Sequence, residues 1–425
     1  MRKTKQYTDE DLFSLKPGKL WGYFKSESFA FWMICAYLFF EYVRPQSIIP
    51  SLDILPWTQL AVLGAIVGAF LDKTVKWVSS PANKLIILFL LTILLSSVTA
   101  YWPSVSYSKL ENIYTWVVIY FLIILIVNTR KRFFIFFLVF LLASFKISLS
   151  LTITWAKRGF SFTGWGLMGP PGFFQNSGEL AIQMAVYWPV ALALTLFLKP
   201  YLSKWVYRLC LAMPITAWAV ILGSSSRGGQ LALVVQFGAK YFRQIFRPKV
   251  LVTIAAAAWL FWTVLPEEQK LRFSEMGEDK TSQQRLLYWQ NGWEMMLDNP
   301  VLGIGYFNFI PYYERYYRED MLFSNAELPH NIFIQVGTDA GFIGLVIYLS
   351  LVLYAFLSMG AIVRHKTQAN LLEAALASGF NYSLIGFLVA GQFVTVAYYP
   401  FLWIHLGMTV SLKNISGERV KGMPG

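Results

Sequence analysis

Two residues in this chain have the chemistry to bind an anion and to move a proton. Arg227 stands in Ile-Leu-Gly-Ser-Ser-Ser-Arg-Gly-Gly (221–229), between two apolar stretches. His330 stands in Leu-Pro-His-Asn (328–331), where a long polar loop meets another apolar stretch. A guanidinium offers fixed, forked donors to phosphate oxygens, and an imidazole accepts a proton near neutral pH. Gly228 and Gly229 let the backbone come close to a ligand or a neighbouring helix. A helix starting near 228 would point its free N–H groups at the same place, which favours an anion. Brought to one face of a membrane, the pair suggests transfer chemistry on a lipid-linked substrate. The plain alternatives stay open: an arginine snorkelling to head groups, or a histidine that caps a helix at the lipid interface.

Further residues belong with these two only conditionally. Arg285, in Ser-Gln-Gln-Arg-Leu-Leu-Tyr-Trp, reads alone as part of a solvated helix face. Asp339 and Lys146 fall inside apolar segments, where an ionisable group is costly and usually paired or functional. Asn176 and Glu179 follow the turn-rich Gly-Pro-Pro-Gly-Phe-Phe stretch (169–174) where a helix begins. Pro329 and Asn331 would fix the position of His330. Metal chemistry has little support. Asp9-Glu-Asp11 and Glu278-Asp279 read as solvated charges, and there is no Walker loop, Rossmann fingerprint or Cys/His zinc spacing. Cys35 and Cys210 read as small core residues.

The elements that must position these groups are membrane helices. Residues are 56% hydrophobic and 14% charged, and mean hydropathy is +0.50. Those values exclude an ordinary soluble domain. The net charge of +13 does not point to nucleic acid, because the basic residues cluster in short loops between apolar runs. No cleavable signal peptide is visible. The pattern predicts an all-α polytopic membrane protein of about twelve spans. They run near 28–47, 55–71, 84–101, 110–128, 132–154, 178–198, 205–223, 228–243, 249–265, 331–358, 372–395 and 398–413.

Lys and Arg recur in alternate loops and in both tails, so both termini are expected in the cytoplasm. The organisation is then a basic tail (1–27), spans 1–9 (28–265), an outer cap loop (266–330), spans 10–12 (331–413) and a short tail (414–425). The cap loop holds eleven Asp/Glu against six Lys/Arg. Around 283–296 it has helical spacing, with Leu286, Leu287, Trp289, Trp293 and Met296 available as an apolar face. It is expected to fold as short helices, with Asp298-Asn-Pro300 ending one of them and Gly303-Ile-Gly305 making a tight turn.

Taken together, the Ser-Arg-Gly turn, the Arg…Trp…Asn-Pro…Gly-Ile-Gly-Tyr-Phe-Asn-Phe stretch (285–309) and the His-Asn…Gly…Gly-Phe-Ile-Gly segment (330–344) resemble the O-antigen ligase/polymerase superfamily of bacterial membrane glycosyltransferases. Tyr-Val-Arg-Pro (42–45), Lys146 and Gly-Pro-Pro-Gly-Phe-Phe (169–174) look like its exosortase-associated O-glycosylation ligase branch. Asp339 departs from the glutamate expected in many relatives. The resemblance implies a GT-C-like bundle in the bacterial inner membrane, with a helical periplasmic cap. It implies an inverting, metal-independent glycosyltransferase without a cofactor. The donor would be a glycan on undecaprenyl diphosphate, and the acceptor a hydroxyl of a glycan, lipid A core or protein. Arg227 and Arg285 would hold the diphosphate and His330 would act as general base, with Lys146, Asn176, Glu179, Asn331 and Asp339 in support. A polymerase using a second lipid-linked unit as acceptor is the nearest alternative. An exporter of lipid-linked glycans would need the arginines but not the base.

Overall fold

A computed structural model describes residues 7–162, 166–264, 270 and 279–421. The start of the expected cap, including Glu278, and the extreme tails lie outside the described residues. All regular elements among the described residues are helices. In chain order they are α1 (Asp9–Phe13), α2 (Pro17–Ser26), α3 (Phe29–Tyr42), α4 (Pro45–Ile48), α5 (Trp57–Leu71) and α6 (Pro81–Val98). Then follow α7 (Pro103–Ile126), α8 (Arg130–Lys157), α9 (Ser177–Leu198), α10 (Lys204–Gly223), α11 (Arg227–Ile245) and α12 (Pro248–Val264). The chain closes with α13 (Lys280–Asp298), α14 (Phe309–Tyr316), α15 (Ile332–Arg364), α16 (Leu371–Ala390) and α17 (Pro400–Lys421).

Many of the helices start where the sequence provides a cap or a first-turn proline. Proline occupies the first turn of α2, α4, α6 and α7, where a missing N–H costs nothing. Ser28, Thr129, Ser203, Ser226, Asp279 and Asn331 each accept a backbone N–H of the turn that follows. Asn176 and Glu179 form a reciprocal capping box at the start of α9.

Among the described residues, eight helical segments are long and apolar enough to cross a membrane, so the chain is a multi-pass membrane protein. The remaining four expected segments coincide with α3, α11, α12 and α17. Inside the bundle α9 packs against α10 and α16, α11 against α16, α15 against α6 and α16, and α17 against α7. Polar side chains tie helices together where lipid cannot satisfy them. Gln236 of α11 donates to the carbonyls of Ala185 and Tyr382, both at 2.8 Å, and accepts from Trp188 Nε1 at 2.7 Å. Gly386 makes room for it, since a Cβ there would lie 2.1 Å from the Gln236 amide nitrogen. Each such bond is worth roughly 0.6–2 kcal/mol in a bilayer.

At the end of the bundle that carries α1, Arg130, Arg132 and Lys19 are held in ion pairs. Arg130 lies 2.8 Å from Asp9 and 2.9 Å from Glu373, and Arg132 lies 2.6 Å from Glu27. Asp11 pairs with Lys19 at 2.9 Å. The expectation that Asp9-Glu-Asp11 is merely solvated is therefore corrected. This segment caps α1 and docks it on α8.

At the opposite end α13 and α14 form the expected helical cap. Tyr288, Met295, Ile304, Phe309, Tyr313 and Ala326 make its own small core. The apolar face expected on α13 is divided: Met296 is buried and Leu287 and Trp289 are partly buried. Leu286 and Trp293 are about half exposed, while Gln284, Tyr288, Asn291 and Met295 point inward with Met296. The reason is hydrogen bonding. Gln284 donates to Asp320 O at 3.2 Å, and Asn291 donates to Asp320 Oδ2 at 2.8 Å and Tyr313 OH at 2.9 Å. The partly buried polar groups of the 318–322 segment find their partners on this face.

Candidate functional site

Ser226 ends the turn after α10, and its hydroxyl accepts from Gly229 N at 3.3 Å, so α11 begins at Arg227. Ser225 (φ +57°) lets the chain reverse there. Gly228 is required by proximity, because a Cβ would lie 2.8 Å from the Phe393 ring. Arg227 extends toward α13 and places both terminal nitrogens 3.2 Å from Asp279 Oδ2. Asp279 also caps α13, accepting from Ser282 N at 3.0 Å and Ser282 Oγ at 2.6 Å. Burial pushes its carboxyl up. The bonds from Ser282 and the charge of Arg227 outweigh that and hold it below the usual carboxylate range. Asp279, expected to be a solvated charge, is thus a link between α11 and the cap.

Arg285 lies on the second turn of α13. Its Nε is buried and has no hydrogen-bond partner among the described residues. Burial, and then the nearby charge of Arg227, weaken its hold on its proton, against the opposing pull of Glu327 and Asp279. Two guanidinium groups therefore sit within electrostatic reach of one another, beside the amino end of α11.

His330 is brought to the same cluster by the segment before α15. Tyr288 OH accepts from Glu327 N at 2.8 Å, and Trp289 Nε1 donates to Pro329 O at 2.9 Å. His330 adopts φ +49°, and its N–H donates to Thr395 Oγ1 at 2.9 Å. Asn331 caps α15 through Phe333 N and Ile334 N. The imidazole Nε2 lies 3.0 Å from Glu327 Oε2. That bond, with the charges of His330 and Arg285, holds the Glu327 carboxyl below its ordinary range in spite of partial burial. Arg227, Asp279, Arg285, Glu327 and His330 thus form one polar cluster between α11, α13 and the start of α15.

The remaining candidates stand around it or apart from it. Asp339 is buried on α15 and accepts from Phe307 N at 2.9 Å. Its role is to hold the 300–309 turn to a helix that kinks two residues later at Gly341. Ile304 N to Thr338 O and Phe342 N to Pro300 O, both 2.8 Å, complete that clamp. Tyr101 N donates to Ile304 O at 2.9 Å and so attaches the turn to the α6–α7 connection. Asn176 is the cap of α9, and Glu179 also accepts from Tyr399 OH at 2.8 Å. Tyr399 shares the 391–399 connection with Thr395, which holds His330. Lys146 lies on the exposed face of α8 with Leu142 and Leu149, and no interaction joins it to the cluster. Asp279 and Glu327 went unrecognised in the sequence as site residues. Glu327 carried one signal, its spacing of three from His330.

Fold and cluster together define a polytopic helical membrane protein with an arginine–histidine site under a helical cap. Residues 212–349, which contain Arg227, Arg285, His330 and Asp339, match the O-Antigen ligase family. The match over residues 212–349 supports membership of the O-antigen ligase superfamily for that part of the chain. Residues 25–167 match a second family, one of unknown function. No curated protein matches the chain.

Proposed function

We infer that this protein is an inverting, metal-independent glycosyltransferase that moves a glycan from undecaprenyl diphosphate to an acceptor hydroxyl. The observation that carries the reading is the meeting of two guanidinium groups and one imidazole in a single cluster. Asp279 and Glu327 pair with Arg227 and His330, which leaves Arg285, a partly buried guanidinium beside Arg227, as the donor that an added anion would satisfy. A diphosphate is such an anion, and the amino end of α11 adds backbone donors. As the bond between the sugar C1 and the diphosphate oxygen breaks, the departing oxygens gain charge. Arg227 and Arg285 stabilise that charge without a metal. The acceptor oxygen attacks C1 from the opposite side and its proton passes to His330, a contribution of typically ~10²–10⁴-fold.

The reaction takes place at the periplasmic face of a bacterial inner membrane, with both termini in the cytoplasm. The arrangement is a GT-C-like bundle of twelve spans, and the acceptor is a finished surface glycan, lipid A core or a protein hydroxyl. The similarity of 42–45, Lys146 and 169–174 to the exosortase-associated branch supports a ligase. A polymerase would use the same donor chemistry with a second lipid-linked unit as acceptor.

The test is release of undecaprenyl diphosphate by the purified protein in nanodiscs, with an undecaprenyl-diphosphate-linked glycan, a panel of acceptors and EDTA. Release that persists in EDTA and is lost in His330→Ala supports the reading. The productive acceptor separates ligase from polymerase. A His330→Ala variant that releases the carrier at the wild-type rate overturns the base assignment.

A further inference from the structure

We propose that Glu327 is the positioning residue of His330. It holds Nε2–H, leaves Nδ1 as the basic nitrogen, and balances the charge that the imidazole gains. This rests on the reading of His330 as the general base.

The geometry begins with the 3.0 Å contact between His330 Nε2 and Glu327 Oε2. A carboxylate only accepts hydrogen bonds, so the proton of a neutral imidazole belongs on Nε2 when the two are bonded. Nδ1, which has no partner among the described residues, then carries the lone pair. The carboxylate is itself placed from outside its own turn. Tyr288 OH takes the Glu327 N–H at 2.8 Å, and Trp289 fixes Pro329 at 2.9 Å. Both come from α13, one turn after Arg285. The backbone that carries the imidazole is held by Thr395, whose Oγ1 accepts from the His330 N–H at 2.9 Å. One short helix therefore sets both the second arginine and the partner of the base.

In the reaction the acceptor O–H proton moves to Nδ1, the new C1–O bond forms, and the diphosphate leaves with the electron pair of the old bond. His330 becomes a cation. The Glu327 carboxylate then faces an imidazolium, which makes a charge-assisted bond about twice as strong as a neutral one. The charged groups around the pair are Arg285 from α13, Arg227 from α11 and Asp279 at the cap of α13. Tyr288 is the neutral titratable neighbour, and the 391–399 connection presents Thr395. A carboxylate in contact with the ring balances an imidazolium in a way that a neutral side chain cannot. Glu327 is 72% exposed on its side chain. Solvent screening places its effect near the lower end of what acid–base groups contribute.

The experiment uses the full chain in nanodiscs with an undecaprenyl-diphosphate-linked glycan and the productive acceptor. Glu327→Gln is expected to lower kcat by about 10–100-fold while donor KM stays within about threefold. Glu327→Asp, which keeps the charge, recovers part of the loss, and the acid limb of the kcat profile moves in Glu327→Gln. A fall in kcat with an unmoved pH profile and no recovery by Asp would overturn the proposal in favour of a purely structural role. A second readout does not depend on turnover. The chain has three histidines, so ¹⁵N-histidine spectra resolve His330 by comparison with His330→Ala. Wild type should show the Nε2–H form, and Glu327→Ala a mixture of tautomers. Unchanged His330 signals in Glu327→Ala would refute the contact. An active His330→Ala variant would instead remove the base reading itself, a different result from an inactive His330→Ala beside an unimpaired Glu327→Gln.

Discussion

Arg227 does two things at one atom cluster: it opens α11 and holds Asp279 with both terminal nitrogens. Lysine would keep the charge but not the fork. The loss of one charge-assisted bond is worth ~1.5–3 kcal/mol, so Arg227→Lys should lower kcat/KM by roughly 10–100-fold. Wild-type turnover by that variant would remove Arg227 from the diphosphate site. Asp279 poses the converse question, because it occupies the donors that a diphosphate needs. Asparagine caps a helix as well as aspartate does, so Asp279→Asn keeps the start of α13 and releases Arg227. A half-exposed pair is worth ~0.2–1 kcal/mol. Donor KM should therefore fall, by up to about fivefold. A rise in donor KM would mean that the carboxylate orients Arg227 rather than competing for it. The arginine was legible in the sequence because glycines, serines and two apolar stretches frame it. Asp279 was not, since it stands 52 residues away in a charged loop with no periodic signal.

At the scale of elements, the cap depends on a clamp between its 300–309 turn and the kink in α15. Gly341 has φ +64° and ψ −169°, a region open essentially to glycine alone. A Cβ there would also lie 2.4 Å from Val301 O. Gly341→Ala should destabilise the clamp by at least ~1–3 kcal/mol, read as a lower melting temperature and faster amide exchange over 300–309. Exchange unchanged from wild type would show that the kink does not support the cap. Asp339→Ala strands Phe307 N, a part-buried donor, at up to ~1–3 kcal/mol, whereas Asp339→Asn keeps an acceptor and should stay close to wild type. An Asn variant as unstable as Ala would show that the negative charge, not the acceptor, is what the site requires. The turn at Gly303 and Gly305 was legible from its glycines, which adopt φ +69° and +114°. The inward face of α13 was not. Helical periodicity marks the side with Leu286 and Trp293, whereas Gln284, Tyr288 and Asn291 are among the buried residues. Asp320, Leu322 and Tyr313, distant in sequence, supply the partners that turn these polar side chains inward.

For the whole molecule, helix length locates the cap relative to the bilayer. At 1.5 Å per residue, α15 is about 50 Å long, against a hydrocarbon core of ~30 Å. The turns before Gly341, which carry α13 through Gly292 beside Ile334 and Gly337 beside Met296, can therefore stand outside the core together with the site. Hydropathy made this length legible, but not the kink that divides it. If the twelve-span topology holds, the cap faces the periplasm, and the connection between α15 and α16 faces the cytoplasm with both termini. Ser324 in the cap and Gln368 in that connection are both exposed, and native Cys35 and Cys210 are buried. Cysteines placed at the two exposed positions in a cysteine-free background report the orientation directly. Ser324→Cys should react with a membrane-impermeant maleimide in cells whose outer membrane alone is permeable, and Gln368→Cys only after the inner membrane is opened. The reverse pattern would place Arg227 and His330 on the cytoplasmic side and exclude a periplasmic transferase. Labelling of both positions from outside would mean that α15 does not cross, and that the number of spans is odd where the alternation of basic loops requires it to be even.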